Sequence, residues 1–420
     1  MNYNNSKYIN EKEADKLDRR CKPTKGDVLL TKIGATYGFA ATIESNERFQ
    51  IFVSLALLRP NEKIFSKYLE IFLNTNLAYT QFERVIKGAG VPDLHLEDIR
   101  KVIIPIPTLN IQKQIIDFYF QKYNEKQQKE AEAKALLDSI DDYLLGELGI
   151  TLPNEDDDES NLLLAAEPKP SYGNSDGFEL DKENLLVKKG RLFLTGFREI
   201  VGQRIDAFYN KEYFEKVEKA INNGLFPIIK LNECIYFIES GSRPSGGVSH
   251  YEEGVLSFGG EHVNNNCELE VKIKKFIPLD FHKSNLKTKT ELNDILIVKD
   301  GATTGKVAII ENIEQSEQNI NEHVFMLKTN VNCNPFYLAY YLHSKAGQIQ
   351  IQRGITGATV TGITKEIVKN IIIPLPLMSK QIQIAQKIQE IRQKANELQQ
   401  EATAIIESAK QQVEQMILGS

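Results

Sequence analysis

GDVLLTKIGATYGFAATIE at residues 26–44 and NDILIVKDGATTGKVAIIE at residues 293–311 align without a gap, and ten of the nineteen positions are identical. The match continues downstream at a nearly constant spacing. The further matching stretches are YLEIFL (68–73) with YLAYYL (337–342), KGAG (87–90) with TGAT (356–359), and IPIPTLNIQKQI (104–115) with IPLPLMSKQIQI (373–384). A repeat of this length and order indicates duplication of a structural unit, so the fold is expected to be built from two related copies.

Each copy has the same predicted order of elements. Short β-branched and aliphatic runs such as DVLLT, DILIV, KVAII and NIIIP are separated by glycine-rich turns, which is typical of a twisted sheet or partial barrel. Each copy then reaches an Ile-Pro-x-Pro sequence, where the prolines end a strand and allow a helix to begin. We therefore predict an α+β fold with two β-rich domains, each followed by a long helix.

The helices are predicted at 108–149 and 377–418. In the second, core positions alternate in spacing between three and four residues from Ile384 to Met416, and only Gln412 interrupts the apolar series. The first helix is apolar at both ends, but its middle, QKYNEKQQKE, is polar. Because the apolar face of a long helix must be covered by another apolar surface, we expect the two helices to pack as an antiparallel coiled coil. The alternative is that each helix lies on its own domain.

The charge of the chain is unevenly distributed. Its net charge is −6, but the segment 151–187 holds ten Asp or Glu and two Lys, so the remainder carries +2. The overall acidity therefore does not exclude a nucleic-acid partner. The four cysteines are widely separated and form no CxxC pair, which disfavours a disulfide scaffold or zinc site and fits a reducing cytoplasm. No apolar run is long enough for a membrane span.

Several motifs of the second copy resemble those of the specificity subunits of type I restriction-modification enzymes. The segment GQRIDAFYN (202–210) is similar to the signature that opens a target-recognition domain in that family. The others are SGSRPSGG (240–247), YEEGVLSFGGEHV (251–263), DILIVKDGATTGKVAII (294–310), NEHVFMLK (321–328) and IPLPLMSKQIQIA (373–385). In the last of these, Lys380 stands where the family motif has an acidic residue before the glutamine.

The resemblance implies a DNA-specificity subunit that has no active site and no cofactor of its own. Each recognition domain would read one half of a split target in double-stranded DNA. The paired helices would set the spacing and bind modification (methyltransferase) subunits, two in number, and restriction/translocase subunits, with no membrane partner. The domains implied are a partial first recognition domain (1–107), a spacer helix (108–149), an acidic linker (150–190), a second recognition domain (191–376) and a second spacer helix (377–418).

The first copy is shorter than the second. Met1 aligns near residue 268, so roughly 70 residues of the second copy have no counterpart, including RIDAFYN and SGSRPSGG. The first domain is expected to be completed by another polypeptide, to be an abbreviated domain, or to reflect a truncated gene. This departure leaves an alternative function open, namely a coiled-coil scaffold that has lost full DNA recognition.

Candidate DNA contacts are small polar and basic residues in glycine-rich turns, because glycine lets the backbone approach a groove and Arg can bond guanine. In the second copy they are Ser242, Arg243 and Ser245; Lys299, Thr303, Thr304 and Lys306; and Arg353, Thr356, Thr359 and Thr361. Lys32 and Tyr37 occupy the matching turn of the first copy. Partner binding and helix pairing are assigned to the apolar series of the second helix: Ile384, Ile388, Ile391, Leu398 and Ile405.

Enzymatic alternatives are weakly supported. GATTGK (301–306) has three residues between its glycines and Val307 after its lysine, so it lacks the spacing of a phosphate-binding loop. NPFY (334–337) is similar to an adenine-methyltransferase motif, but Asn334 followed by Pro335 is also a good helix N-terminus. The histidines show no metal-binding spacing, and His323 is expected to be a hydrogen-bonded interior residue.

Overall fold

A computed structural model describes residues 7–88, 90–154, 208–248, 251–313, 317–357 and 361–419, and the backbone of two short strands at 164–165 and 185–186. The chain divides into two compact units. Unit 1 comprises Met1–Ala135 and Lys394–Ser420, and unit 2 comprises Leu136–Gln393. Both long helices contribute one part to each unit.

The elements of the amino-terminal copy precede and include the first long helix. They are α1 (Glu11–Asp18), β1 (Val28–Thr31), β2 (Ala40–Thr42), β3 (Leu55–Leu58), α2 (Ser66–Leu73), α3 (Asn76–Glu83), α4 (Leu96–Ile99) and α5 (Leu109–Leu148). Two short strands follow, β4 (Leu164–Ala165) and β5 (Leu185–Leu186), which pair antiparallel. The rest of the predicted acidic linker lies outside the described residues.

The second copy contains more strands than the first. Its first half holds α6 (Glu212–Asn222), β6 (Ile228–Lys230), α7 (Leu231–Cys234), β7 (Ile235–Ser240), β8 (Val255–Phe258), β9 (Phe276–Ile277) and α8 (Leu279–Ser284). Its second half holds β10 (Ile295–Val298), β11 (Val307–Ile309), β12 (Gln318–Ile320), β13 (Val324–Thr329), α9 (Pro335–His343), α10 (Lys345–Gly354), α11 (Lys365–Lys369), β14 (Ile372–Pro374) and α12 (Met378–Leu418). Short 3-10 turns lie at Gly260–His262 and Leu286–Thr288.

The two copies share the register of their strands. In unit 1 the sheet order is β2-β1-β3, and Val28 pairs with Thr42 and Leu58. In unit 2 the order is β11-β10-β13-β7, and Ile295, the counterpart of Val28, pairs with Ile309 and Leu327. The duplication predicted from the sequence is therefore a duplication of structure. This sheet of unit 2 has one additional strand, β7, on the outer edge of β13.

A buried glutamine secures the start of each long helix. The Gln381 side chain accepts a hydrogen bond from the Asn334 amide (2.8 Å) and donates to the carbonyls of Asn332 (3.1 Å) and Pro376 (2.9 Å). In the first copy, Gln112 makes the same three bonds: it accepts from the Phe65 amide and donates to the carbonyls of Lys63 and Pro107, each at 2.9 Å. Each glutamine thus ties a spacer helix to the loop before the preceding short helix.

The long helices pack in antiparallel fashion, as predicted. In unit 1 the core joins Ile115, near the start of α5, to Val413 and Ile417, near the end of α12. In unit 2 it joins Leu148 at the end of α5 to Ile384 near the start of α12. Met416 is partly buried against the core of unit 1, but the expectation that Gln412 holds a core position is wrong, since it is exposed. Val413 and Ile417 are buried instead, because a helix of 3.6 residues per turn rotates away from a strict three-four alternation.

One buried arginine ties α12 to the second domain. Arg392 is 8% exposed and donates to Glu268 Oε1 (2.6 Å), Glu311 Oε1 (2.8 Å) and the Tyr340 hydroxyl (2.6 Å). A buried guanidinium with two carboxylate partners holds α12 in place against the second domain, because removing one partner leaves a charge uncompensated.

Nowhere in the described part of the chain does a helix have the length and apolarity needed to cross a bilayer.

Candidate nucleic-acid interface

Three predicted turns of unit 2 are linked by a fourth segment. We call Gly241–Gly247 turn A, Lys299–Lys306 turn B and Ile355–Ile363 turn C; residues 358–360 of turn C lie outside the described residues. The fourth segment, Asn321–His323 between β12 and β13, is called the NEH loop. The turns are far apart in the sequence, so only the strand order brings them together.

Backbone and hydroxyl hydrogen bonds join turns B and C. The Gly301 amide donates to the Thr361 carbonyl (3.0 Å), and the Ile363 amide donates to the Lys299 carbonyl (2.8 Å). The hydroxyls of Thr304 and Thr361 both donate to the Gly301 carbonyl, at 2.7 and 2.9 Å. Gly301 has φ +97°, a conformation that favours glycine, which explains the glycine at this position. Turns B and C therefore form one continuous surface.

The NEH loop connects turn A to turn B. Gly241 packs so closely on Ile320 that a Cβ at 241 would lie 1.9 Å from the Ile320 carbonyl oxygen. Arg243 Nε lies 2.8 Å from Glu322 Oε1. On the other side, the Lys299 amide donates to the His323 carbonyl (2.7 Å), and the His323 ring bonds the Asp300 carboxylate. The series Arg243–Glu322–His323–Asp300 thus links turn A to turn B, and turn B is itself bonded to turn C.

The candidate contact residues differ in exposure. Ser242, Arg243 and Ser245 of turn A are exposed, as are Thr356 and Thr361 of turn C. The four turn B candidates, Lys299, Thr303, Thr304 and Lys306, are half-buried. Lys299 lies 3.3 Å from Asp300, whereas Lys306 forms no ion pair with any other described residue. Thr359 lies outside the described residues.

Arg353 stands apart from the other candidates because its side chain is already engaged. Its Nε donates to the Tyr209 carbonyl and its Nη1 to Glu218, both at 3.0 Å. The guanidinium also stacks 4.5 Å from the centre of the Tyr209 ring. These contacts with Tyr209 and Glu218 anchor α10 to α6 and hold the guanidinium in place. Arg353 is therefore better suited to position turn C than to contact a ligand directly.

A carboxylate with two lysines near turn A was not singled out from the sequence as a basic site. Glu239, at the end of β7, lies 2.9 Å from Lys287 and also bonds Lys365. The hydrogen bond from Lys365, followed by that from Lys287, lowers the pKa of Glu239. The members lie at 239, 287 and 365, so only the fold reveals the cluster.

His323 is 45% exposed, so the expectation of an interior histidine is wrong, although it is hydrogen-bonded.

The matching turn of unit 1 retains the backbone geometry of turn B. The Gly34 amide donates to the Pro92 carbonyl (3.0 Å), as Gly301 does to Thr361. Lys32 lies 3.7 Å from Asp93, and Tyr37 stacks on Tyr79 with hydroxyls 3.0 Å apart. The hydrogen bond to Tyr79 raises the pKa of Tyr37 to about 12. The turn presents an aromatic pair where unit 2 presents threonines.

The geometry disfavours the enzymatic alternatives. GATTGK runs from β10 into β11, whereas a phosphate-binding loop leads into a helix. Asn334 is confirmed as the N-cap of α9, with its side chain accepting from the Tyr337 amide (3.0 Å). In the described residues, no cluster of three or more His, Cys, Asp or Glu side chains is arranged to hold a metal ion.

The predicted partner-binding series of α12 faces the interior of the chain. Ile384 and Ile388 are fully buried in the core of unit 2, and Leu398 is 3% exposed in unit 1. Only Ile391 and Ile405 are half-buried. Within unit 1, Ile405 lines a groove of about 430 Å³ between α5 and α12, beside the Lys129–Glu401 ion pair. The buried members can hold the helices together but cannot touch another subunit in this conformation.

Comparison with known proteins identifies relatives of this architecture. The family model described as "Type I restriction modification DNA specificity domain" matches residues 1–135 and 228–408. A chain from a structure on complex assembly and conformational transition of the type I R-M system is similar over 94% of this chain and 81% of its own, with 17% identity and a TM-score of 0.50.

Two further solved chains are similar at lower scores. The HsdS subunit from Thermoanaerobacter tengcongensis matches with 15% identity and a TM-score of 0.37, covering 94% of this chain and 80% of its own. The type I restriction-modification S subunit from M. genitalium matches with 11% identity and a TM-score of 0.41, covering 94% of this chain and 84% of its own. No curated protein matches by sequence.

Proposed function

Since the chain belongs to the type I restriction-modification DNA specificity domain family, we propose that it is the sequence-reading subunit of such a system. In this proposal residues 191–376 form a complete recognition domain, and 1–107 form a partial one. The chain itself performs no catalysis and needs no cofactor. It selects the double-stranded DNA target for catalytic subunits that it binds.

The observation that carries the proposal is the series of contacts from turn A through the NEH loop to turn B, and from turn B to turn C. A duplex reader needs side chains of two kinds close together: cations and hydroxyls for phosphates, and forked donors or acceptors for base edges. Lys306 and the exposed hydroxyls of Ser242, Ser245 and Thr356 supply the first kind. Arg243, oriented by Glu322, supplies the second.

The ion pairs of the interface suggest how sequence discrimination would arise. Arg243 and Lys299 already have carboxylate partners at 2.8 and 3.3 Å, so they reach DNA only by exchanging those partners for bases or phosphates. The exchange is favourable when the DNA acceptor bonds the cation as strongly as the carboxylate does. Guanine meets this condition for arginine, because its O6 and N7 atoms accept two hydrogen bonds from one guanidinium. A wrong base leaves the charge poorly paired, which costs binding energy.

The proposed role of the helices is to scaffold two modification subunits and restriction/translocase subunits. The buried series, including Ile384, Ile388 and Leu398, would act indirectly by keeping α5 and α12 paired. Direct contact would come from exposed side chains and from Ile405 in the groove beside α5. A rigid pair of helices about 60 Å long would fix the spacing between the two halves of a DNA target.

Salt-dependent duplex binding by the purified chain tests the proposal. Arg243→Ala and Lys306→Ala should each weaken binding about tenfold, and Lys306→Ala should lower the slope of log K against log salt by about one. Lys387→Ala, which removes a cation from α12 instead, is the matched control. Unchanged affinity and slope in both turn variants would contradict the assignment of these turns.

A further inference from the structure

The Glu239 side chain connects turn A to turn C directly. Glu239 lies on β7, two residues before turn A begins, and it accepts a hydrogen bond from Lys365, which follows turn C by two residues. Ser240 is paired with Phe325, and β13 begins at Val324, directly after the NEH loop. Glu239 therefore lies at the end of the sheet that carries the NEH loop, and its bond to Lys365 closes the series of contacts through turns A, B and C into a ring.

A second lysine reaches Glu239 from outside this ring. Lys287 lies in the second of the short 3-10 turns, and its Nζ is 2.9 Å from Glu239 Oε1. The segment that follows is fixed beside β12, because the Thr290 amide donates to the Gln318 carbonyl (3.0 Å), and β12 leads directly into the NEH loop. The Lys287 side chain is 66% exposed, compared with 37% for Lys365 and 29% for Glu239. Lys287 is therefore held at the edge of the candidate interface with its side chain mostly open to solvent.

The charge balance of this cluster is the reverse of that in two other ion clusters of unit 2. Glu239 is one carboxylate shared by two ammonium groups, so the cluster has an excess of positive charge. Lys328 instead lies between the carboxylates of Glu291 and Asp294, and its side chain is largely covered. Arg392 is likewise a buried cation with two carboxylate partners. Departure of either of those cations leaves two carboxylates without it, whereas departure of one lysine leaves Glu239 paired with the other.

We propose that Lys287 contacts a backbone phosphate of bound duplex DNA, and that Lys365 is a positioning residue that stays on Glu239. Lys287 is the more exposed of the two lysines, and its departure leaves the ring through Glu239 and Lys365 intact. A lysine ammonium is a compact cation that suits a phosphate oxygen, and phosphate contacts set the register of a reader on its duplex. In the unbound chain, a Glu239 carboxylate oxygen occupies the place that a phosphate oxygen would take at the Lys287 ammonium.

A similar cluster is present in unit 1. Asp98, on α4, lies 3.0 Å from Lys101 and 3.3 Å from Lys87, and both lysine side chains are more than half exposed. α4 is the counterpart of α11, and Lys87 lies in the segment that matches turn C. The lysines nevertheless occupy different positions from those of unit 2, since Lys87 aligns with Thr356 and Lys101 with Asn370. The cluster is therefore not a remnant of the duplicated sequence, and its presence beside the same turn in both units supports a shared function.

Equilibrium binding of the full chain to a duplex of mixed sequence, over a range of salt concentrations, provides the test. Lys287→Gln should weaken binding about three- to tenfold and lower the slope of log K against log salt by about one, because one phosphate contact is lost. Lys287→Arg keeps a cation and should retain the wild-type slope. Lys387→Gln, which removes an exposed lysine that is paired one-to-one with Glu390, is the matched control and should leave both quantities unchanged.

Substitution of the shared carboxylate distinguishes a phosphate contact from a structural ion pair. Glu239→Gln removes the carboxylate but keeps both lysines, so the slope of log K against log salt should remain at least as steep as that of the wild type. If the pair of Lys287 and Glu239 only stabilised the fold, Lys287→Gln and Glu239→Gln would change the slope equally. That result would overturn the proposal.

Because the inference rests on the proposed function, both are tested in the same titrations, but they fail in different ways. Wild-type affinity and slope in Lys287→Gln, while Arg243→Ala and Lys306→Ala weaken binding, would overturn the phosphate contact and leave the assignment of the turns standing. Absence of salt-dependent duplex binding by the wild-type chain would overturn both.

Discussion

Replacing the buried glutamine at the start of each long helix should destabilise one unit at a time. Gln381→Leu keeps the approximate side-chain size but removes three hydrogen bonds, to Asn334, Asn332 and Pro376. Each bond is worth roughly 1 kcal/mol net, and the buried backbone groups lose their partners, so we expect unit 2 to lose about 3 kcal/mol. Gln112→Leu should cost unit 1 about the same, because its three bonds are equivalent.

The assay is hydrogen exchange of the central strands, β10 in unit 2 and β1 in unit 1. A loss of about 3 kcal/mol corresponds to roughly 100-fold faster exchange of amides that open only on unfolding of the unit. Gln383→Leu, an exposed glutamine on the same helix, is the matched control and should have little effect. An acceleration below about fivefold in the affected unit would refute the view that these bonds secure the helix starts.

Three further predictions follow from single side chains. Arg392→Ala should lower the free energy of unfolding by about 2–3 kcal/mol in urea titrations, because it removes the buried cation that bonds Glu268, Glu311 and the Tyr340 hydroxyl. Arg392→Met restores packing but not the charge, so it should recover only a small part of this loss, and full recovery would contradict the ionic explanation. Burial lowers the pKa of His343 to about 4, so the unfolded state binds its proton first as pH falls below about 6.5. Stability should therefore drop by about 2 kcal/mol between pH 7 and pH 4.5, and His343→Gln should remove that component of the drop; an identical pH dependence in the variant would count against it. Gly241→Ala should displace turn A from the Ile320 carbonyl and weaken duplex binding about tenfold at unchanged circular dichroism, and wild-type affinity would show that the close approach is dispensable.

Much of the fold could be predicted from the sequence because the duplication repeats local signals. The strands at DVLLT and DILIV and the helix starts after Ile-Pro-x-Pro depend on residues close together in the chain, and these signals occur twice. The antiparallel helix pair also followed from periodicity. The carboxyl-terminal end of the buried series could not be predicted in this way. Gln412 and Val413 are both compatible with the spacing of the apolar stripe, and only the packing in unit 1 shows that Val413 is the buried one.

The candidate site was less accessible to sequence reasoning because it depends on contacts between distant segments. The turns were recognisable from their glycines, but nothing in the sequence indicates that residues 321–323, the NEH loop, lie between turns A and B. The engagement of Arg353 by Tyr209 and Glu218 involves residues more than 130 positions away, so an exposed arginine and an anchoring one look alike in the sequence.

Methylation mapping tests the central claim, that this chain chooses a DNA sequence, most directly. The chain would be coexpressed and copurified with a type I methyltransferase subunit, and the modified sites would be mapped genome-wide in a host without background methylation. A single recognition sequence is expected, and the Arg243→Ala variant should relax or change the bases of one part of it while leaving complex assembly intact. An identical sequence modified to the same extent by the variant, or a stable complex that modifies no defined sequence, would contradict the account.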